Sequence, residues 1–201
     1  MMDEIEYKLP KNGDQLFKSG EDWWHDAYIG LTEQEWDVYA IGYKMAGDLI
    51  VQHMENIEKN NLVFPIVFLY RHYIELRLKE IINNGYLLLN IKNDNQIHYM
   101  KEHNIDKLWN ETKNIIRKAL QDQAKHYVEA LNKLIKEYSK IDPGSYCFRY
   151  PIDTKGVPLK FDISHINLRN LSEVIEGMAN LLDEVSIGIS ENLGFKSEMG
   201  E

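Results

Sequence analysis

The amino-acid sequence predicts an all-α fold, a bundle of about five helices. Apolar residues recur at steps of three and four through most of the chain, which is the spacing of one helix face. The 201 residues, 44% of them hydrophobic, are enough to bury a core without disulfides or a structural metal. Residues 146–161 carry a turn signal between two short runs, so they form either a small hairpin or an extended loop.

The first helix is predicted over residues 33–59. Thr32 can cap its first backbone N–H groups and Glu35 stands three residues later, which is the arrangement of a capping box. Gly42 and Gly47 each cost about 1 kcal/mol in a helix interior relative to alanine, and a close helix crossing would explain why they are tolerated. The apolar face of this helix consists of Trp36, Ala40, Tyr43, Gly47, Ile50, Met54 and Ile57.

The second helix is predicted over residues 65–82, with Pro65 in the first turn, where its missing N–H has no intrahelical partner to lose. Its first half is apolar on all sides, which indicates a helix buried by several neighbours. Residues 83–85, Asn-Asn-Gly, tolerate left-handed backbone conformations and are expected to end it. The irregular, polar residues 86–103 are expected to form a loop with room for a short helical turn.

Three more helices follow in the sequence. Asn104 can cap a third helix, whose apolar residues between 105 and 120 have helical spacing. A fourth helix is predicted over residues 122–139, before the chain-breaking Asp-Pro-Gly at 142–144. The last helix is predicted over residues 167–190, where apolar residues again step by three and four.

One domain is expected to cover the whole chain, with an amino-terminal arm (1–32), a bundle (33–192) and a flexible tail (193–201). The regular stripes of the first and last helices favour packing inside the bundle, and a second copy is the alternative. In the arm, Trp23 and Trp24 are expected to pack over the bundle; the alternative is an edge that binds a partner, because aromatic residues are frequent interface anchors.

Charge and composition narrow the function classes. The net charge of −9 argues against a protein coated in basic residues for nucleic-acid binding. Residues 1–60 carry −8, residues 61–167 carry +4 and residues 168–201 carry −5, so an anionic ligand is expected in the middle segment. Neither a secretion signal nor a membrane span is visible, and the single Cys147 fits a reducing compartment. A cytoplasmic location without membrane association is therefore expected.

Common catalytic signatures are absent from the sequence. It has no Gly-rich phosphate loop, no Gly-x-Ser-x-Gly and no paired Cys, which disfavours P-loop hydrolases, Rossmann oxidoreductases and serine hydrolases. The Asp22–His25 and Asp162–His165 pairs have metal-ligand spacing but lie outside the predicted helices. Neither a metal nor a cofactor is expected.

Charged residues appear abruptly after the apolar half of the second helix. Arg71 and Glu75 are four residues apart, and His72 and Glu75 are three apart, so their side chains share one face. An unpaired buried charge costs several kcal/mol, so Arg71 must be paired or must line a cavity. Two interpretations stay open: an internal salt bridge that fixes helix packing, or a site that grips phosphate.

Three segments, in this order, resemble the HEPN superfamily of helical domains. They are Leu-Tyr-Arg-His-Tyr-Ile-Glu-Leu-Arg-Leu-Lys-Glu-Ile-Ile at 69–82, His-Asn-Ile-Asp-Lys-Leu at 103–108 and Phe-Arg-Tyr-Pro at 148–151. The resemblance implies a bundle that dimerises. Many members are metal-independent ribonucleases of toxin, abortive-infection and phage-defence systems, and others bind nucleotides or act as non-catalytic partners.

The chain departs from the ribonuclease pattern of the family it resembles. Those members carry an Arg followed four to six residues later by a His, and no Arg of this sequence has a His in that window. RNA cleavage without a metal needs an acid, a base and a group that stabilises charge on the phosphorus. The candidate catalytic residues are Arg71, His72, Glu75 and His103. The candidates for RNA or phosphate binding are Arg77, Arg149 and Tyr150.

Three functions are compatible with the sequence. The first is a HEPN-like effector of a phage-defence or toxin system that acts on RNA, with an antitoxin or phage protein as its partner. The second is a non-catalytic HEPN-like module that forms a homodimer and binds a protein or a nucleotide. The third is an unrelated helical protein with a small-molecule site.

Overall fold

The structure, a computed structural model, describes residues 9–20, 22–29, 36–54, 59–91, 95–121 and 124–199. The chain divides into two compact units, Met1–Gln34 and Glu35–Glu201. The first unit contains a single 3-10 turn, Trp23–His25, among its described residues. In that turn His25 Nδ1 lies 2.7 Å from Asp22 Oδ2, which accounts for the Asp-x-x-His spacing without a metal.

The second unit confirms the all-α prediction. Its helices are α1 (Trp36–His53), α2 (Lys59–Leu88), α3 (Asn95–Lys101), α4 (Ile105–Leu120), α5 (Ala124–Ile141) and α6 (Leu168–Glu198). Among the described residues, no helix combines the length and the apolar composition that crossing a membrane requires. The Thr32–Glu35 capping box lies outside the described residues.

Helix α2 is the centre of the bundle. It packs against α1, α3, α4 and α6, which explains why its sequence is apolar on several sides. The fully buried Tyr70, Ile74 and Leu78 run along its length, and Trp109 of α4 fills the core beside it. Tyr138 of α5 donates a hydrogen bond of 2.7 Å to the Val67 carbonyl, so α5 is fixed to the same helix.

The predicted ends of α2 are wrong, because the helix begins six residues before Pro65 and continues through residues 83–85 to Leu88. Packing against α4 outweighs the local preference of Asn-Asn-Gly to stop a helix. A Cβ on Gly85 would overlap the Ile115 side chain, so glycine serves a close crossing here. Asn90, with a φ of 51°, takes the left-handed conformation that ends the turn after α2.

The predicted cap of α4 is confirmed, and α6 begins with a cap of the same kind. The Asn104 side chain accepts hydrogen bonds from two backbone N–H groups at 3.1 Å, and the Asn167 side chain accepts one from Asn170 at 3.0 Å. The predicted end of the last helix near residue 190 is wrong, since α6 continues to Glu198 through most of the predicted flexible tail. Lys196 donates to the Leu88 carbonyl at 2.9 Å, which ties this extension to the end of α2.

The segment between α5 and α6 contains a tight turn in place of a regular hairpin. A single antiparallel bridge joins Ile152 and Pro158, and the Asp153 N–H donates to the Val157 carbonyl at 2.8 Å. Gly156 supplies the positive φ of 79° that the turn requires. The described residues of this segment form no strand.

Helix α1 has two different faces. The predicted stripe packs on α2, and a Cβ on Gly47 would lie 2.8 Å from Tyr70 Cε1, which confirms a close crossing at Gly47. Lys44 forms an ion pair with Glu176 of α6, so the first and last helices also meet inside the bundle. The opposite face of α1 is exposed. It consists of Val38, Ile41, Gly42, Met45 and Leu49.

Candidate functional site

Arg71 is the centre of a buried polar cluster and is 0% exposed. Its Nη1 donates to Glu75 Oε2 at 2.7 Å, and its Nη2 donates to the His103 carbonyl at 2.5 Å. Its Nε and Nη2 also donate to the carbonyls of Asp142 and Pro143, both at 3.3 Å. The guanidinium therefore joins α2 to the residue before the α4 cap and to the turn after α5, and its donors are used within the protein.

Glu75 is the carboxylate that holds this cluster together. In addition to Arg71, its Oε1 accepts from Lys79 Nζ at 2.9 Å and contacts His103 Nδ1 at 2.8 Å. Burial alone would raise the pKa of Glu75, but the charges of Lys79 and Arg71 outweigh it, and the pKa lies below its usual value. Glu75 is therefore ionised at neutral pH, and three donors converge on it.

His103 is the member of this cluster that solvent can reach. Its side chain is 63% exposed, although Nδ1 is held by the buried Glu75. An ionised carboxylate only accepts hydrogen bonds, so Nδ1 must carry the proton. This pair has the arrangement of a histidine oriented by a carboxylate, which acid–base catalysis uses.

Asp142 closes the cluster from the turn after α5. Its Oδ1 accepts from the N–H groups of Tyr146 and Cys147 at 2.9 and 3.1 Å, which fixes the turn. Its Oδ2 is buried 4.0 Å from Arg71 Nε and has no hydrogen-bond partner among the described residues. Burial, with the nearby Asp142 charge, raises the pKa of Cys147 to about 11, so this thiol is protonated and a poor nucleophile.

His72 belongs to a second group, which we call the His72 patch: His72, Tyr43, Phe68, Arg149 and Tyr150. The His72 ring lies 4.3 Å from the Tyr43 ring and stacks on Phe68 at 5.5 Å. The Arg149 guanidinium carbon lies 5.5 Å from the ring centres of both Phe68 and Tyr150. Burial lowers the pKa of His72, so the ring is predominantly neutral at pH 7.

Arg77 is separate from both groups. Its Nη1 donates to Asp37 at 2.7 Å and to Glu80 at 2.6 Å, and its Nε lies 3.0 Å from Asp183 Oδ1 in an ion pair without hydrogen-bond geometry. Tyr73 also donates to Asp183, at 3.1 Å. These carboxylates come from α1, α2 and α6, so Arg77 joins three helices. It is buried there and does not present a surface to phosphate.

The structure thus divides the seven predicted site residues into three groups. Arg71, Glu75 and His103 meet in the buried cluster. His72, Arg149 and Tyr150 lie in the His72 patch, and Arg77 stands alone among them. Asp142 was missed as a partner of Arg71, because a contact across 71 residues has no signal in local spacing.

No group of three or more His, Cys, Asp or Glu side chains in the described part of the chain is arranged to hold a metal ion. Comparison with known proteins gives no match: no protein-family model, curated protein or solved structure is significantly similar to this chain. The resemblance to the HEPN superfamily therefore stays a prediction.

Proposed function

We propose that the chain is a non-catalytic HEPN-like module that forms a homodimer through α1 and presents its other surfaces to a protein partner. The exposed apolar face of α1 carries the proposal. This face consists of Val38, Ile41, Met45 and Leu49, which follow one another at steps of three and four. Apolar residues have this spacing on the side of a helix that packs on another helix. From Val38 to Leu49 this stripe extends about 16 Å along α1, at about 1.5 Å per residue.

Gly42 supports a close contact at this face. Gly47 is explained by the Tyr70 ring, but a Cβ on Gly42 would meet no atom within 4 Å among the described residues. Glycine in a helix interior costs about 1 kcal/mol relative to alanine. Since packing among the described residues does not require Gly42, a second α1 helix crossing there would supply the reason for it.

The Arg71 cluster supports the non-catalytic part of the proposal. A catalytic Arg must turn its donors toward the phosphate in the transition state. Arg71 instead bonds the Glu75 carboxylate and the carbonyls of His103, Asp142 and Pro143. Together with the missing Arg-to-His spacing, this favours a structural role for the residue.

We predict that Met45→Glu converts the dimer to a monomer. A carboxylate in the middle of an apolar helix contact has no partner, and burying it costs several kcal/mol. Sedimentation velocity at micromolar concentration measures the change, with circular dichroism to show that the variant stays folded. Met45 is 56% exposed, so the folded chain accepts the new side chain.

Ile187→Glu is the matched control, because Ile187 is 57% exposed and lies on α6. This variant is expected to remain a dimer. A monomeric wild-type protein, or a dimer that Ile187→Glu dissociates and Met45→Glu does not, would contradict the proposal.

The second candidate function is a HEPN-like effector that cleaves RNA without a metal, as in phage-defence or toxin systems. The observation that favours it is the exposed His103 imidazole oriented by Glu75. In this scheme His103 exchanges protons with the substrate, while Arg149 of the His72 patch contacts phosphate and Tyr150 stacks on a base. Tyr150 is exposed enough for that contact.

If this second function is correct, His103→Gln lowers the rate of RNA cleavage about 100-fold or more, which is the usual contribution of an acid–base group. The assay uses single-stranded RNA in the presence of EDTA. His98→Gln is the matched control, since His98 is similarly exposed nearby on α3. A wild-type protein that leaves RNA intact, or equal rates for both variants and the wild type, would exclude this candidate.

A further inference from the structure

A cavity of about 620 Å³ lies where the end of α1, the start of α2, the segment before α6 and the start of α6 meet. Its volume is within the range of sites that bind small organic ligands. Its lining combines aromatic and aliphatic side chains with the polar residues Lys59, His165 and Arg169. None of the residues that we predicted as functional is among them.

The floor of the cavity is aromatic. Phe148 is the centre of a row of three rings, with ring centres 6.4 Å from Phe64 and 5.0 Å from Phe161. Phe148 is buried, and the buried Met54 and Leu168 also line the cavity and add apolar surface to it. Aromatic rings at such distances attract a further ring in tilted or offset geometry, so the floor suits a flat aromatic body.

The rim of the cavity is positive. Lys59 and Arg169 line it together with His165, and the lining residues that the structure describes include no Asp or Glu. The amino-terminal end of α6 also faces this space, through its cap Asn167 and its first two residues, Leu168 and Arg169. The amino-terminal end of a helix carries a positive partial charge, which adds to that of the two cations.

A neighbouring cavity of about 410 Å³ extends the space on the polar side. It shares Met54, Lys59 and Arg169 with the first cavity, so the two cations stand between the two volumes. Among the described residues, Glu173 is the only acidic one that lines this second volume. An anionic group held at Lys59 and Arg169 would therefore have room beyond it, and the aromatic floor would lie on the other side.

We propose that this cavity binds a small aromatic anion, with the ring on the floor formed by Phe64, Phe148 and Phe161 and the anionic group at Lys59 and Arg169. Aromatic packing and charge then recognise the two ends of one molecule. A carboxylate and a phosphate satisfy the rim equally well, so an aromatic acid and a nucleoside monophosphate share the required chemistry. This site is independent of the α1 contact and of the Arg71 cluster.

Isothermal titration calorimetry on the full chain tests the site with 2-naphthoate, adenosine monophosphate and inorganic phosphate as probes. We expect one of the two aromatic anions to bind with one-to-one stoichiometry, and phosphate alone to bind more weakly. The neutral 2-naphthalenemethanol should bind at least about tenfold more weakly than 2-naphthoate, because it lacks the charge-assisted contacts. The anion that binds more tightly shows whether the site takes an aromatic acid or a nucleotide.

Two variants and a matched control locate the binding. Lys59→Gln removes one charge from the rim. It is expected to lower the affinity for the more tightly bound of the two aromatic anions about tenfold. Ile163→Trp fills the cavity and should abolish binding. Circular dichroism shows whether this variant folds, and if it does not fold, the result for Lys59→Gln decides the test. Lys133→Gln on α5 makes the same change outside the cavity and should leave affinity unaltered.

The proposal is overturned if neither aromatic anion binds, or if the neutral analogue binds as tightly as 2-naphthoate. It is also overturned if Lys59→Gln and Lys133→Gln have the same affinity as the wild type. Because Met45→Glu lies on α1 outside this cavity, that variant should bind the anion normally, which keeps the result separate from the dimer test.

Discussion

Replacing Arg71 with alanine is expected to lower the free energy of unfolding by about 3–5 kcal/mol, the usual cost of breaking a buried ion pair from one side. The substitution leaves Glu75 without its shortest contact and removes the donors from the carbonyls of His103, Asp142 and Pro143. Through these carbonyls the guanidinium of Arg71 joins the segments before α4 and after α5 to α2. Urea unfolding followed by circular dichroism measures the loss.

Arg149→Ala is the control for this measurement, because Arg149 is exposed and stacks on the rings of Phe68 and Tyr150. Surface substitutions of this kind usually change stability by less than about 1 kcal/mol. Similar stabilities for Arg71→Ala and Arg149→Ala would show that the Arg71 cluster does not hold the fold. That result would favour the other interpretation of Arg71, a site that binds phosphate.

The Arg71 cluster also shows where sequence reasoning reached its limit. The spacing of Arg71 and Glu75 predicted their contact, and the cost of a buried charge left the choice between a salt bridge and a cavity. The structural interpretation of Arg71 is favoured by its additional partners, which are backbone carbonyls 32 to 72 residues away in the sequence. Every residue has a backbone carbonyl, so no residue type in the sequence indicates which three carbonyls accept from Arg71.

The division of charge along the sequence does not translate directly into charge on the surface. The middle segment is positive, but Arg71, Arg77 and Lys79 are buried and paired with carboxylates. Two partners of Arg77 even come from the acidic ends of the chain, Asp37 and Asp183. These three cations therefore contribute little to attracting an anion from solution, because opposite charges beside them cancel their field.

Local signals succeeded where the interaction itself was local. The side chain of Asn104 bonds the first backbone N–H groups of α4, so a few neighbouring residues were enough to predict this cap. The stripe of α1 that faces α2 was also evident from spacing, whereas its second apolar face was not. Helix ends were predicted poorly at Gly85 and near residue 190, because contacts with other helices continue α2 and α6 beyond them.

Replacing Gly85 with valine is expected to destabilise the protein by about 3 kcal/mol, at the upper end of the cost of overpacking a core. Gly85 lies at the crossing of α2 and α4, where even a single Cβ would overlap Cγ2 of Ile115. That carbon is attached directly to the Ile115 Cβ and cannot move away by turning a distant bond. The helices must separate instead, which weakens the hydrogen bond of 2.7 Å from Tyr86 to Glu111.

Gly177→Val on α6 is the matched control, since a Cβ there meets no atom within 4 Å among the described residues. Valine is slightly better than glycine in a helix, so this variant should be stabilised by up to about 0.5 kcal/mol. Urea unfolding compares the two variants with the wild type. If Gly85→Val were as stable as Gly177→Val, the close crossing would be absent, and the preference of Asn-Asn-Gly to end a helix would explain Gly85 better.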